Sequence, residues 1–418
     1  MSEKNLCAAD GIPLKKALAA SQRKLKLTAL LMVAPLLIFI FITFLMPIAE
    51  MLFRSVDNSI VPKTLPQTVI EIQRWNPERD ALPDEATFAA LHADLTEAVK
   101  TRSHTRVGQR LNYEHSGMSS LFRRAGRKIK KITAPPYKEA MIQQDKRWGE
   151  TDKWNTIKNF SGSWTLGYFV NAFDGRIDET GEIVLRDEDE RIYMPLMLST
   201  IVMSITVTVL TLLLGFPIAY LLANLPSRIS NLLLILVLLP FWTSLLVRTT
   251  SWIALLQQQG VLNDLLVFIG IIADDGRLVM MHNSTGTIIA MTHILLPFMV
   301  LPLFSVMKTI PPSYKRAAIS LGAHPWRAFW SVYFPSTLPG IGAGGILVFI
   351  LAIGYYITPA LVGGNDGIFM SNRIAYNIST SLNWGLAAAL SVILLALVLI
   401  LFVIYDKFVG INNIKMGS

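Results

Sequence analysis

Six stretches of this 418-residue chain run for about 20 residues or more without a Lys, Arg, Asp or Glu: 27–49, 194–225, 229–247, 282–307, 336–365 and 374–405. A helix that crosses ~30 Å of hydrocarbon needs ~20 apolar residues, so each stretch is long enough to span a membrane. The third is expected to continue past Arg248 through Trp252 to Leu256, and the fifth to leave the membrane near Pro359. Arg248 then lies near an interface, where its side chain can snorkel to water, or else it lines a pathway. The expected fold is an all-α polytopic membrane protein with six transmembrane helices and a large external insertion between the first and second. Composition agrees, because 52% of residues are hydrophobic and only 16% are charged, against about 25% charged in soluble domains.

Charge gives the direction of threading. Residues 55–193 hold 21 basic and 21 acidic side chains, so the formal net charge of +9 sits entirely in the rest of the chain. Basic cytoplasmic loops account for such a surplus without any nucleic-acid role. Lys4, Lys15, Lys16, Arg23, Lys24 and Lys26 precede the first span and place residues 1–26 in the cytoplasm. That first span, 27–54 with its flank, is too long for a cleaved signal peptide and has no small-residue cleavage site. Six crossings return the C-terminal tail, 410–418, to the cytoplasm and leave 55–193 outside. The external segment carries LFRRAGRKIKKI, cations interleaved with apolar residues. This pattern fits contact with lipid headgroups or, as the more ordinary reading, a solvated or partner-packed helix face.

The chemistry that is missing narrows the function. There is no G-x-x-x-x-G-K-[ST] phosphate cradle, no H-E-x-x-H, no G-x-S-x-G and no Cys-x-x-Cys. The single cysteine, Cys7, cannot close a disulfide within the chain, and His282, His293 and His324 have no metal-ligand spacing. His293 within the fourth stretch reads as a hydrogen-bonded packing residue. No catalytic or metal-ligating residue is expected, and this chain is expected to bind no cofactor.

Between the fourth and fifth stretches lies SYKRAAISLGAHPWRAFWSVYFPSTLPG, too polar to cross a membrane and too patterned for a slack loop. On a helix, Tyr314, Ala317, Ala318 and Leu321 share one face, while Lys315, Arg316 and Ser320 lie away from it. Pro311 and Pro312 suit the first turn, and Gly322 suits a left-handed stop. Lys308, Lys315, Arg316 and Arg327 put the segment on the cytoplasmic side. Such a helix can be a peg for a protein groove or can lie flat on the bilayer; the pattern alone permits both.

The same residues resemble the cytoplasmic E-A-A…G motif of permease subunits of bacterial binding-protein-dependent ABC importers. Ala317, Ala318, Gly322 and Pro335 match, Phe334 stands where leucine is usual, and Arg316 replaces the glutamate. FWTSLLVRTTSWIALLQQQGVLNDLL and GYYITPALVGGNDGIFMSNRIAYNISTSLNWGLAAALSV are similar to stretches of spermidine/putrescine permeases, and SWTLGYFVNAFD to the segment before their second span. The resemblance covers about 27–54 and 163–405 and leaves about 60–160 as an insertion. It implies the type I ABC importer permease fold in a bacterial inner membrane, with 194–409 holding helices 2–6 and 311–335 as the cytoplasmic coupling segment. It implies docking of the 313–322 helix, through Tyr314, Arg316, Ala317, Ala318, Leu321 and Gly322, in a groove of a separate ATPase dimer that holds ATP and Mg. It also implies a second permease subunit, expected to make a heterodimer, and a periplasmic substrate-binding protein.

The resemblance implies a polyamine such as spermidine or putrescine as the substrate. Opines or other amino-acid derivatives, phosphonates and iron chelates stay open. Trp252, Tyr355, Tyr356 and Thr358 are the candidate pathway or gate residues, and Gly363, Gly364, Asn365 and Asp366 the candidate docking residues for the binding protein. A polycation favours aromatic faces, but the six stretches hold no acid, with Glu50 at the edge of the first. An ion-coupled secondary transporter is the rival class. It would want ionisable groups at mid-membrane and repeated broken helices, and the spans are almost free of acids.

Overall fold

The computed structural model describes residues 14–178 and 180–409, so Lys4, Cys7 and the 410–418 tail lie outside the described residues. The chain divides into two units, 1–54 and 55–418. In the first, a helix runs over Leu14–Ile40, passes a π turn at Phe41–Leu45 and continues as Met46–Arg54. It begins well before residue 27 because the lysines, alanines and leucines there are good helix formers. The π turn has a local cause. Pro47 has no N–H for the carbonyl of Thr43, so the ladder slips and the Met46 N–H reaches Phe41 O. Glu50 and Arg54, one turn apart, pair at 2.6 Å. Leu30, Leu36, Phe39 and Phe44 are exposed, a surface suited to hydrocarbon or another subunit.

In the second unit, residues 58–160 form a helical domain with its own core. Its main helices are Glu85–Thr101, Ser103–Asn112, Met118–Lys128 and Thr151–Asn159. Phe88, Leu91, Leu95, Leu111, Phe122, Trp148 and Trp154 fill the interior. Asp84 caps the first of these helices by accepting from the Thr87 N–H at 3.0 Å, and the Thr87 hydroxyl and amide hold that carboxyl below its ordinary range. The two ends of the domain meet: the Asn58 side chain donates to Phe160 O and Gly162 O, both at 2.7 Å. Arg110 is buried beneath this junction, donating to Asn58 Oδ1 at 2.8 Å and Glu114 Oε1 at 2.7 Å. Its guanidinium lies 4.4 Å from the Tyr168 ring centre. Burial pushes the Tyr168 hydroxyl up to about 12, with Arg110 pulling the other way. Among the described residues, which are mostly helical, one small antiparallel hairpin pairs Gly175–Ile177 with Ile183–Leu185.

The membrane half is built around Tyr193–Asn224, Ser284–Thr309 and Phe334–Ile353, which pack on one another. Their shared core includes Met203, Val207, Leu295, Met299, Leu303 and Val348. Small residues set the spacing: a Cβ on Gly344 would lie 2.8 Å from Met299 Sδ, and one on Gly215 3.1 Å from Met299 Cγ. The last helix, Trp384–Val409, packs against Phe334–Ile353 and against Gly167–Ala172 of the external segment.

Three of the six expected runs differ in detail. The third is not one helix to Leu256, because Ser227–Trp242 and Leu245–Phe268 are bent by 96°. Pro240 tightens the chain into a 3₁₀ turn, and Ser244 Oγ then caps a new helix by accepting from Val247 N–H at 3.2 Å. The fifth helix ends at Ile353, before Gly354, and a short helix Ile357–Val362 follows. The sixth run is split into Met370–Ser379 and Trp384–Val409. Leu382 is left-handed at φ 57, and Asn383 Oδ1 accepts from Leu386 N–H at 3.2 Å to start the last helix.

Asp174 joins the external segment to the second span. It is 1% exposed, and its two oxygens accept from the N–H groups of Ile192, Tyr193 and Met194 at 3.0, 2.9 and 2.7 Å. A carboxylate at a helix N-terminus satisfies orphan donors and complements the helix dipole. Asp174→Ala is expected to cost about 2 kcal/mol and to lower the Tm of the detergent-solubilised protein. An unchanged Tm would show that the cap carries no stability.

Candidate coupling segment and pathway face

The helix between the fourth and fifth spans runs over Pro312–Ser320, with Pro312 at its first turn. It closes in a Schellman arrangement: Gly322 N–H donates to Ile319 O at 2.9 Å and Ala323 N–H to Ala318 O at 3.1 Å. Gly322 takes φ +93, and a Cβ there would meet nothing within 4 Å. Its glycine is therefore demanded by backbone angle alone. His324 Nδ1 accepts from Trp326 N–H at 3.3 Å and starts the next turn, Pro325–Ala328.

Tyr314, Ala317 and Leu321 are exposed and Ala318 is half-buried, so most of this face is left uncovered by its own chain. Leu321 is 88% exposed. Lys315, Arg316 and Ile319 instead border a hollow of about 470 Å³ whose walls include Asn224, Met307 and Tyr333. No acid occurs between Lys308 and Pro335. Among the described residues, Lys308, Lys315, Arg316 and Arg327 form no ion pair.

An aromatic joint, not apparent from the sequence, fixes the base of this segment. Phe329 stacks on Tyr333 at 5.6 Å between ring centres, and Tyr220 meets both edge-on at 5.7 and 5.4 Å. Phe216 adds contacts to Phe329 at 6.3 Å and Phe334 at 5.8 Å. The end of the second span is thus bound to the entry of the fifth. The W-x-x-F-W-x-x-Y-F spacing from Trp326 to Phe334 was the available signal. Phe329–Tyr333 is again a π turn, and Pro335 repeats the cause, since it offers no N–H to the carbonyl of Ser331.

The pathway candidates form two nearby groups. Trp252 Nε1 donates to His293 Nδ1 at 3.2 Å, and the rings meet edge-on at 5.3 Å. Thr358 is fully buried, with its hydroxyl 3.2 Å from that of Thr249. Tyr356 is 47% exposed, and its carbonyl accepts from Asn372 Nδ2 at 3.0 Å. Ser371 Oγ donates to the carbonyl of Tyr355. Arg248 lies within electrostatic range of both His293 and Tyr355, and its Nε is buried without a partner, as is that of Arg373. Ser371 and Asn372 end the 363–372 stretch expected to dock or gate, and Arg373, which follows it, was not singled out in the sequence.

Gly363 and Gly364 do not sit in a free loop. A Cβ on Gly364, at φ +58, would lie 2.4 Å from His282 O, and one on Gly363 2.4 Å from Gly367 O. Ser284 Oγ donates to Asp366 O at 2.8 Å and Thr287 Oγ1 to Gly367 O at 3.0 Å. These glycines let two backbones touch, and the exposed side chains are those of Asn365 and Asp366. Among the described residues, no three His, Cys, Asp or Glu side chains converge on a metal-sized site.

Comparison with known proteins points one way. A family profile described as binding-protein-dependent transport system inner membrane component matches residues 212–409. The spermidine/putrescine transport system permease protein PotB of Salmonella typhimurium is 35% identical over 227 residues, 54% of this chain and 78% of that protein. The molybdenum transport system permease protein ModB of Mycobacterium bovis is 30% identical over 45% of this chain and 69% of its own length. Among solved structures, a bacterial ABC transporter that imports the acidic polysaccharide alginate aligns over 55% of this chain and 81% of its own, at 19% identity and TM-score 0.42.

Because Gly322 is held only by its backbone angle, Gly322→Val should cost about 1–2 kcal/mol locally without a clash. Amide exchange over Pro312–Ser320 should accelerate in the detergent-solubilised variant. Exchange at the wild-type rate would mean that the left-handed stop does not hold the helix.

Proposed function

The chain belongs to the family of binding-protein-dependent transport system inner membrane components, and from that membership we propose how its parts divide the work of an ABC importer for polyamines. It is a permease subunit, embedded in the membrane and working with an ATPase and a periplasmic substrate-binding protein. Its own sequence lacks a phosphate-binding loop, so ATP and Mg belong to the ATPase subunits.

In this reading 1–26, 311–335 and 410–418 face the cytoplasm and 55–193 faces the periplasm, supported by the basic residues around the first span and in the 308–327 loop. The ATPase dimer receives the Pro312–Ser320 helix. Tyr314 and Leu321 supply the apolar anchor, Ala317 and Ala318 allow close approach, and Gly322 closes the helix. Arg316 meets an acid on the groove, since four cations and no acid make up the charge of this loop. One observation carries the assignment: a small-residue helix face lies uncovered while the helix's base is locked by Tyr220, Phe329 and Tyr333. A peg anchored at its root and bare at its tip is suited to pass on a push.

The polyamine substrate rests on the relatives that carry spermidine and putrescine in their names. Trp252, Tyr355, Tyr356 and Thr358 contribute aromatic and hydroxyl surface to the pathway. Between residues 194 and 405 the only acids are Asp264, Asp274, Asp275 and Asp366, none inside a predicted span. Carboxylates for a polycation must then come from another chain, which favours a heterodimer with a second, acid-bearing permease subunit. Asn365 and Asp366 present the binding-protein contact at the outer end.

The peg reading and the flat-on-lipid reading diverge at Ala317. Ala317→Trp in the assembled importer should cut substrate-stimulated ATP hydrolysis about tenfold or more, because an indole blocks close approach to a groove. Membrane insertion and complex yield should not change. If the helix lies on the bilayer, tryptophan is welcome there and hydrolysis would stay at the wild-type rate.

A further inference from the structure

The segment 55–193 is neutral as a whole, yet its charges are segregated, and the 58–160 domain within it holds 18 basic against 12 acidic side chains. From Lys100 to Lys131 there are ten Lys and Arg residues against one acid, Glu114. Three of the ten are neutralised: Lys100 by Glu97, Arg110 by Glu114 and Arg124 by Asp145. Arg102 just before one helix and Arg106 on it, and Arg123, Arg127, Lys130 and Lys131 on or just after the next, are exposed.

Packing gathers them. Ser103–Asn112 and Met118–Lys128 lie against each other as an antiparallel pair, with His104 against Gly126 and Phe122 against Gly108. A Cβ at Gly126 would fall 2.4 Å from the His104 ring, and one at Gly108 2.6 Å from Phe122 Cβ. These contacts bring the start of the first helix beside the end of the second, so cations distant in sequence share one end of the pair. A hollow of about 540 Å³ opens beside them, its walls including Lys128, Lys131, Gln143 and Gln144. The other end of the pair meets the membrane half, where the Tyr113 hydroxyl donates to Ser381 O at 3.3 Å. About 15 Å of helix separates the two ends.

We propose that this basic end is a docking surface for an acidic face of the soluble substrate-binding protein. The inference rests on the importer reading and on the external placement of 55–193. Two observations favour a protein over a lipid surface. The apolar residues of the LFRRAGRKIKKI stretch, Leu121, Phe122, Ala125, Ile129 and Ile132, are at most 7% exposed and packed into the domain's own core. Nothing apolar is left to enter a headgroup layer, which interfacial helices require. In addition, the cations cluster at the end of the helix pair opposite the contact with Ser381. A surface of unpaired cations with no apolar centre steers an oppositely charged partner and sets its orientation, acting mainly on association rate.

The test uses the complete importer in lipid nanodiscs and its binding protein, with ATP hydrolysis measured against binding-protein concentration. A variant carrying R102E, R106E, R127E and K130E should raise the half-saturating concentration about tenfold or more at low salt. The gap to wild type should close at high salt, and unstimulated hydrolysis should not change. The four-fold glutamine variant at the same positions, which adds no repulsion, should shift in the same direction by less. Wild-type half-saturation in both variants would overturn the proposal. So would a shift that persists at high salt, or one seen only when the nanodisc contains anionic lipid. If the wild-type complex were not stimulated by any binding protein, the importer reading itself would fall, and this inference with it.

Discussion

The joint of Phe216, Tyr220, Phe329 and Tyr333 is what the Pro312–Ser320 end of the molecule depends on. Without it the Pro312–Ser320 helix would hang between two spans on single strands of backbone. With it, the helix is followed by a turn whose rings are wedged against the second span. Each aromatic pair contributes about 0.5–1.5 kcal/mol beyond its buried area, and four rings meeting edge-on and stacked leave little room for rotation. The π turn at Phe329–Tyr333 matters to this arrangement. It carries Phe329 and Tyr333 four residues apart on one side, where they stack on each other and meet Tyr220 edge-on.

Most of the membrane architecture was legible because hydrocarbon imposes a simple rule, long uncharged runs. The departures share a cause that such a rule cannot see. Pro240 with Ser244, Gly354, and Leu382 with Asn383 each interrupt the backbone ladder while leaving hydropathy unchanged. A run of uncharged residues therefore overstates helix length wherever a proline, a glycine or a capping side chain sits inside it. The Pro312–Ser320 helix was legible for the opposite reason, since its two prolines and one glycine mark its ends and its alanines mark its face. Gly363 and Gly364 were harder. A glycine pair reads equally as a turn or as a contact point, and only the approach of His282 O and Gly367 O shows that two backbones touch there.

The external domain was legible only as a boundary. The resemblance to importer permeases left about 60–160 uncovered, as an insertion, and Asn58 does meet Phe160 and Gly162 at that junction. Its core was not predictable, because Phe88, Phe122, Trp148 and Trp154 come together from helices far apart in sequence. The same folding decides how its basic stretch reads. LFRRAGRKIKKI has the pattern of a membrane-surface helix, and burial of its apolar side chains in the domain core leaves only the charges outside.

The second span connects both ends of the chain's working parts. At its start, Asp174 of the external segment holds three of its N–H groups; near its end, Phe216 and Tyr220 hold the coupling segment. The 32 residues of Tyr193–Asn224 make one unbroken helix, about 48 Å long at 1.5 Å per residue. A rigid element fixed to a distinct partner at each end is a physical route for displacement. In the proposed importer, a push on the cytoplasmic peg reaches Asp174 through this one shaft. The Gly167–Ala172 helix also packs on the last span, where a Cβ on Gly385 would fall 2.2 Å from the Tyr168 ring. In that proposed importer, any tilt between the second and sixth spans must be taken up where Tyr168, Arg110 and Asn58 are buried together, so the 58–160 domain would move with the spans.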